Sequence, residues 1–143
     1  MENPETFEKE NVFGLGQFND AYAQYFSGRS WLNPLTDPEK TDFLANVTFE
    51  PSCRNNWHIH HAKSGGSQIL VCTAGEGWYQ EEGKPAVSLH PGVVITIPPE
   101  VKHWHGAKKD SWFSHIAIEV PGTETRNEWL EPVTDKQYEA LED

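Results

Sequence analysis

From Phe43 to Val120 the chain is broken by Gly or Pro roughly every eight to twelve residues, and the stretches between the breaks alternate apolar and polar side chains. The breaks are Ser64-Gly65-Gly66, Gly75-Glu76-Gly77, Glu82-Gly83-Lys84-Pro85, Pro91-Gly92 and Pro98-Pro99. Such punctuation leaves room for short strands and none for ordinary helices. Segment 43–49 is the cleanest case: Phe43, Ala45, Val47 and Phe49 fall on one face, and Leu44, Asn46 and Thr48 on the other. The pattern predicts about eight strands, at 43–49, 57–61, 68–74, 77–81, 86–89, 93–97, 103–107 and 111–120. No helices alternate with them, which excludes a doubly wound α/β fold. A sandwich or closed barrel is expected.

The ends read differently. Residues 1–40 form an N-terminal extension and 41–143 the barrel with a C-terminal helix. Within the extension, 20–26 is predicted to be a short helix capped by Asn19 or Asp20 and stopped by Gly28, followed by an extended segment at 29–35 that pairs on a sheet edge. At the other end, Thr134 followed by Gln137 predicts a capping box, with Asp135 favouring the positive N-terminal end of the helix.

Composition narrows the function classes. The 143 residues suit one domain with one core, and 17 aromatic side chains, six of them Trp, supply large areas to bury. The net charge is −11, from 22 acidic and 11 basic residues, with no Lys/Arg cluster; this argues against a nucleic-acid partner. No apolar run approaches the ~20 residues needed to cross a bilayer, and the acidic first twenty residues lack the apolar stretch of a secretory signal. A cytoplasmic protein with no membrane partner is expected. Cys53 and Cys72 lie in no C-x-x-C and are expected to be buried free thiols.

The histidines carry the chemistry. His58-Ile59-His60-His61 and His103-Trp104-His105 each place two imidazoles two residues apart on a predicted strand. Side chains at i and i+2 share a face, about 7 Å apart along the backbone. Two such pairs on different strands, each flanked by apolar residues, point to a divalent metal site rather than a solvated surface. Imidazole suits Zn, Fe, Ni, Cu and Mn. Parity turns His61 to the opposite face, and His90 beside Pro91-Gly92 is a turn residue. Segment 68–74 puts Gln68, Leu70 and Cys72 on one face; segment 111–120 does the same for Phe113, His115, Ala117 and Glu119. His115 is thus either a general acid/base near the metal or a hydrogen-bonded core histidine.

These residues resemble the cupin superfamily, jelly-roll (double-stranded β-helix) barrels with two signature motifs. The first, G-x5-H-x-H-x3/4-E-x6-G, runs here from Ser52 through His58, His60 and Gln68 to Gly75. The second, G-x5-P-x-G-x2-H-x3-N, runs through Gly92, Pro98, Glu100, His103 and Ala107. Seven residues separate His60 from Gln68, where the family has three or four, and Gln68 stands where the family has its Glu ligand. Within the cupins the chain is most similar to the small manganese-dependent bacterial hydroxynitrile lyases. The shared stretches are H-x-H followed by Gln, Thr73-Ala74-Gly75-Glu76-Gly77-Trp78, Lys102 to Ala107, a later histidine at His115, and Val133 to Tyr138. It also resembles cupins associated with carboxymuconolactone decarboxylase-like proteins.

The resemblance implies one metal per chain, Mn first with Zn, Fe or Ni as others, held by His58, His60, Gln68 and His103, with His105 and His115 in the catalytic pocket. Three neutral imidazoles and a neutral amide leave the ion's charge uncompensated, which favours Lewis-acid work on a small hydroxyl or carbonyl substrate over oxygen activation. A lyase of the hydroxynitrile type, or a related decarboxylase or isomerase, is therefore expected. An Fe-dependent dioxygenase and a non-catalytic ligand-binding cupin are the alternatives. Cupins commonly pair through edge strands, so a homodimer is expected, with segment 29–35 a candidate for exchange between subunits.

Overall fold

A computed structural model describes residues 4–143. The chain opens with helix α1 (Pro4–Glu10), strand β1 (Gln17–Phe18), a 3-10 turn at Ala23–Tyr25, and strands β2 (Phe26–Ser27) and β3 (Ser30–Pro34). The body follows as β4 (Leu44–Phe49), β5 (Arg54–Asn55), β6 (His58–His61), β7 (Ser64–Gly65), β8 (Gln68–Gly75), β9 (Gly77–Glu81), β10 (Val87–Leu89), β11 (Val94–Ile97), β12 (His103–Ala107) and β13 (Phe113–Glu119). Strands β14 (Gly122–Thr123) and β15 (Arg126–Trp129) and helix α2 (Asp135–Glu139) complete it. Among the described residues, no helix is long and apolar enough to cross a membrane.

Two antiparallel sheets face each other. The first has the order β1-β3-β4-β13-β8-β11. The second runs β10-β9-β12-β5-β2, with β6 pairing both β12 and β15. Between them lies a core of Val47, Phe49, Leu70, Cys72, Tyr79, Leu89, Ile97 and Phe113, which the strand alternation turns inward. Both cysteines are buried and free.

Each sheet's outer face is covered by one end of the chain. Trp57, Trp78 and Trp104 face outward from the second sheet and pack against Val133 and Tyr138. Helix α2 carries the predicted capping box: the Thr134 hydroxyl accepts the Gln137 N–H at 3.1 Å, and the Gln137 side chain accepts the Thr134 N–H at 3.0 Å. Tyr138 then donates its hydroxyl to the Ala107 carbonyl at 2.6 Å, and the Arg54 guanidinium lies 4.4 Å from the Tyr138 ring centroid. On the first sheet, Phe7 of α1 stacks on Trp112, with centroids 5.7 Å apart.

A bulge in β8 makes this arrangement consistent. Cys72 pairs with His115, but Ala74 pairs with Ser114, so the register shifts by one residue and Thr73 is the extra one. The extra residue turns Ala74 outward to the side that Ser114 already faces, where Ala74 meets Phe7 and Ser114 receives the Asn11 amide at 3.0 Å. Gly75 follows with φ +68°, and a Cβ there would meet the Trp112 carbonyl oxygen at 1.8 Å, so the turn into β9 needs glycine.

All eight predicted strands are present, and the extended segment at 29–35 pairs with β4 as β3. The helix expected at 20–26 shrinks to the turn at Ala23–Tyr25. Two tertiary interactions override it: Tyr25 stacks on Trp129, and Phe26 enters the sheet opposite Asn55. The structure also adds α1 and β15, for which the sequence carries no expectation.

Candidate functional site

Between the sheets is a cavity of about 320 Å³, whose lining includes His58, His60, Gln68, His105 and His115. His58 and His60 point inward from β6; Trp57 and Trp104 point to the opposite side, under α2. His58 and His103 are direct cross-strand partners, and their rings lie 4.2 Å apart centroid to centroid. His60 stands 5.0 Å from His58 and 5.2 Å from His103. His115 enters from the opposite sheet and meets the His105 ring edge-on at 4.8 Å, between Phe49 and Phe113.

Hydrogen bonds sort four of the five rings into two kinds. The Nδ1 of His58 lies 2.8 Å from the Asn56 carbonyl, that of His103 2.9 Å from the Val101 carbonyl, and that of His60 2.7 Å from the Asn127 side-chain oxygen. An oxygen acceptor keeps the proton on Nδ1 and leaves the lone pair on Nε2. The Nε2 atoms of His60 and His103 are buried with no partner. This is the state of an imidazole ready to ligate a cation.

His105 is the reverse. The Asn55 side-chain oxygen accepts the His105 backbone N–H at 2.9 Å, which fixes the amide so that its NH₂ faces His105 Nε2 at 3.2 Å. The lone pair at Nε2 is therefore used, and Nδ1 carries the proton as a buried donor without a partner. By proximity alone, His58, His103 and His105 form a group arranged to hold a metal, their ligating atoms lying within 4.8 Å of one another. The tautomers and the tighter ring spacing favour His60 over His105 as the third ligand. His115 has no partner at either nitrogen.

Burial is the leading cause that lowers all five titrations, His58 and His105 well below the ordinary imidazole value and His103 and His115 to about 4. For His60 burial again dominates, opposed by the bond to Asn127 and by the Glu119 carboxylate. The site is thus a set of neutral rings with lone pairs and donors in fixed places. Those lone pairs, walled from water, fit a divalent transition metal.

The other sequence-selected residues fall as follows. Gln68 begins β8, opposite Ile97 and Glu119, and lines the same cavity. The longer segment before it is clasped: β7 pairs with β14, Gly65 opposite Gly122. His61 faces outward, between Glu100 at 2.5 Å and Glu128 at 2.8 Å. His90 is an exposed turn residue. Asn55, Asn127 and Trp129 also line the cavity, and sequence reading passed over them. The one available signal was the alternation of Arg126-Asn127-Glu128-Trp129.

Comparison with known proteins agrees with this geometry. No family model matches the chain. The (R)-mandelonitrile lyase of Granulicella tundricola is 39% identical over 118 residues, spanning 81% of this chain and 87% of that protein. The crystal structure of a cupin-like protein from Thermotoga maritima superposes with a TM-score of 0.78 at 40% identity, covering 92% of this chain and 97% of that one. A cupin 2 conserved barrel domain protein from Salinispora arenicola, 18% identical with a TM-score of 0.53 over 65% of this chain and 76% of its own, shares the fold. The chain belongs to the small bacterial cupins similar to hydroxynitrile lyases.

Proposed function

We propose that the chain is a metal-dependent lyase that cleaves a small cyanohydrin-type substrate, its ion held by His58, His60, His103 and Gln68. The observation that carries this reading is the division of tautomers within one cluster of histidines at the cavity. Three clustered rings, His58, His60 and His103, hold their protons on Nδ1, with the Nε2 atoms of His60 and His103 buried and unpartnered, and a fourth, His105, presents an N–H donor beside the unpartnered His115. When bound, a divalent ion, Mn by resemblance, supplies Lewis acidity toward a hydroxyl or carbonyl oxygen.

The protein's own groups do the remainder. Phe26, Phe43, Tyr22 and Trp129 give the cavity an apolar, aromatic wall that suits an aryl or alkyl substituent. His115 is neutral at pH 7, since burial lowers it to about 4, and has a lone pair to accept the substrate's hydroxyl proton. As that proton leaves, the O–H electron pair becomes the second bond of the carbonyl, and the C–C pair departs with cyanide. His105 holds the departing nitrile through Nδ1–H. The proton on His115 then passes to cyanide, which returns the ring to neutrality.

Release of aldehyde and cyanide from an aromatic cyanohydrin by Mn-loaded protein tests the reading. The wild type turns over, and His115→Ala loses at least ~100-fold in kcat with its metal content unchanged. Absence of cleavage of every cyanohydrin tried overturns it. The same reading includes a homodimer, supported by the exposed apolar side chains of Phe18 on β1 and Val94 on β11, the outermost strands of the first sheet. Light scattering of the purified chain tests that part.

A further inference from the structure

The two rings on β6 are flanked by a strand outside the stretch that carries the cupin-like motifs. Strand β15 pairs with β6 antiparallel, placing Asn127 opposite His60 and Trp129 opposite His58. Directly opposed residues of an antiparallel pair share a face, so both side chains turn into the cavity beside the rings. Asn127 gives its side-chain oxygen to His60 Nδ1 at 2.7 Å. Trp129 stacks on His58 with centroids 4.5 Å apart and planes 29° apart. Behind it, Tyr25 stacks on Trp129 at 4.5 Å and 4°.

His103 lies on β12, which β15 does not pair, and its Nδ1 acceptor is the Val101 carbonyl two residues before it. His58 takes a carbonyl from Asn56, two residues before it, which sets its proton but leaves the ring's tilt to its neighbours. His60 has no backbone acceptor. Without Asn127 its proton is free to move to Nε2 and its ring free to turn, and either change removes the lone pair from the cavity.

We propose that β15 is the positioning strand of the metal site, with Asn127 setting the tautomer and orientation of His60, and Trp129, backed by Tyr25, holding the plane of His58. This rests on the reading that His58 and His60 ligate the ion. Neither residue touches the ion or the substrate's reacting atoms in this assignment.

The test is affinity for Co²⁺, measured by chelator competition on the full chain, with the visible spectrum of the Co²⁺-loaded protein and the unfolding temperature of the metal-free protein. Asn127 is exposed, so its variants fold. Asn127→Leu is expected to weaken Co²⁺ binding 10- to 100-fold with the metal-free unfolding temperature unchanged. Asn127→Asp, which keeps the acceptor, restores binding to within a few-fold of wild type. Trp129→Leu alters the Co²⁺ bands, and Trp129→Phe keeps them. Wild type that binds Co²⁺ no better than Asn127→Leu overturns this inference alone. So does a loss that Asn127→Asp does not repair. Wild type that takes up no divalent ion overturns the underlying ligand assignment as well.

Discussion

Asn55 meets His105 twice, accepting its backbone N–H at 2.9 Å and setting its amide 3.2 Å from the ring Nε2. The double contact fixes which His105 nitrogen carries the proton. Asn55→Asp replaces the donor by an acceptor, so the proton moves to Nε2 and the donor facing the cavity is lost. Cyanohydrin cleavage is expected to fall by about 10²-fold, the cost of one transition-state donor, while metal content stays at the wild-type level. Equal activity in Asn55→Asp removes His105 from the proposed chemistry.

Removal of metal should lower stability, because neutral, partnerless Nε2 atoms remain in a buried site. A ligand at a hundred times its Kd stabilises by about 2.7 kcal/mol. Chelation is therefore expected to lower Tm by several degrees, with recovery on adding Mn²⁺ or Zn²⁺. Calorimetry with and without chelator measures this, and identical curves speak against a bound ion.

The metal-free protein should also become less stable in mild acid. Burial lowers His115 to about 4, whereas its ordinary value is 6.5. Between these values the unfolded chain holds more protons than the folded one, so stability falls as pH falls. At pH 5 the share of His115 is about 2 kcal/mol relative to pH 7. Denaturant unfolding of metal-free His115→Gln should show that much less loss over the same interval.

Glu119 lines the cavity beside Gln68, and among the described residues no Lys, Arg or other acidic residue lines it. Its carboxylate disfavours anionic ligands. Glu119→Lys is expected to strengthen inhibition by an aryl carboxylate several-fold, up to about tenfold, and to lessen that gain in high salt. Inhibition constants at two ionic strengths check the direction.

Gly75→Ala should be among the costliest single substitutions. The new methyl meets the Trp112 carbonyl at 1.8 Å in a backbone of φ +68°. A loss of roughly 2–4 kcal/mol is expected, read as a lower midpoint in urea. A midpoint within error of wild type contradicts the close approach.

Strand parity made much of the site legible. His58, His60, His103, His105 and His115 all turn into the interior that period-two alternation assigns them, and His61 turns away. The Thr134–Gln137 cap was readable for the same local reason: both partners lie within one turn. The misses are tertiary. In α1 the buried apolar side chain among those described is Phe7, so the helix shows no apolar period and is anchored by its stack on Trp112. Tyr25 and Phe26 read as helix formers, but their rings belong to Trp129 and Phe49. β15 lies beyond the last strong alternation and carries Arg126 and Glu128 on its outer face, so its pairing with β6 shows only in space.

The contact between Trp129 and His58 has an optical consequence. An indole 4.5 Å from an imidazole proposed as a ligand is within range to lose its excited state to a paramagnetic ion bound there. Titration with Mn²⁺, Co²⁺ or Cu²⁺ should therefore dim the part of the intrinsic fluorescence that Trp129 emits, while diamagnetic Zn²⁺ leaves it bright. The chain carries its own gauge of occupancy, without any attached dye.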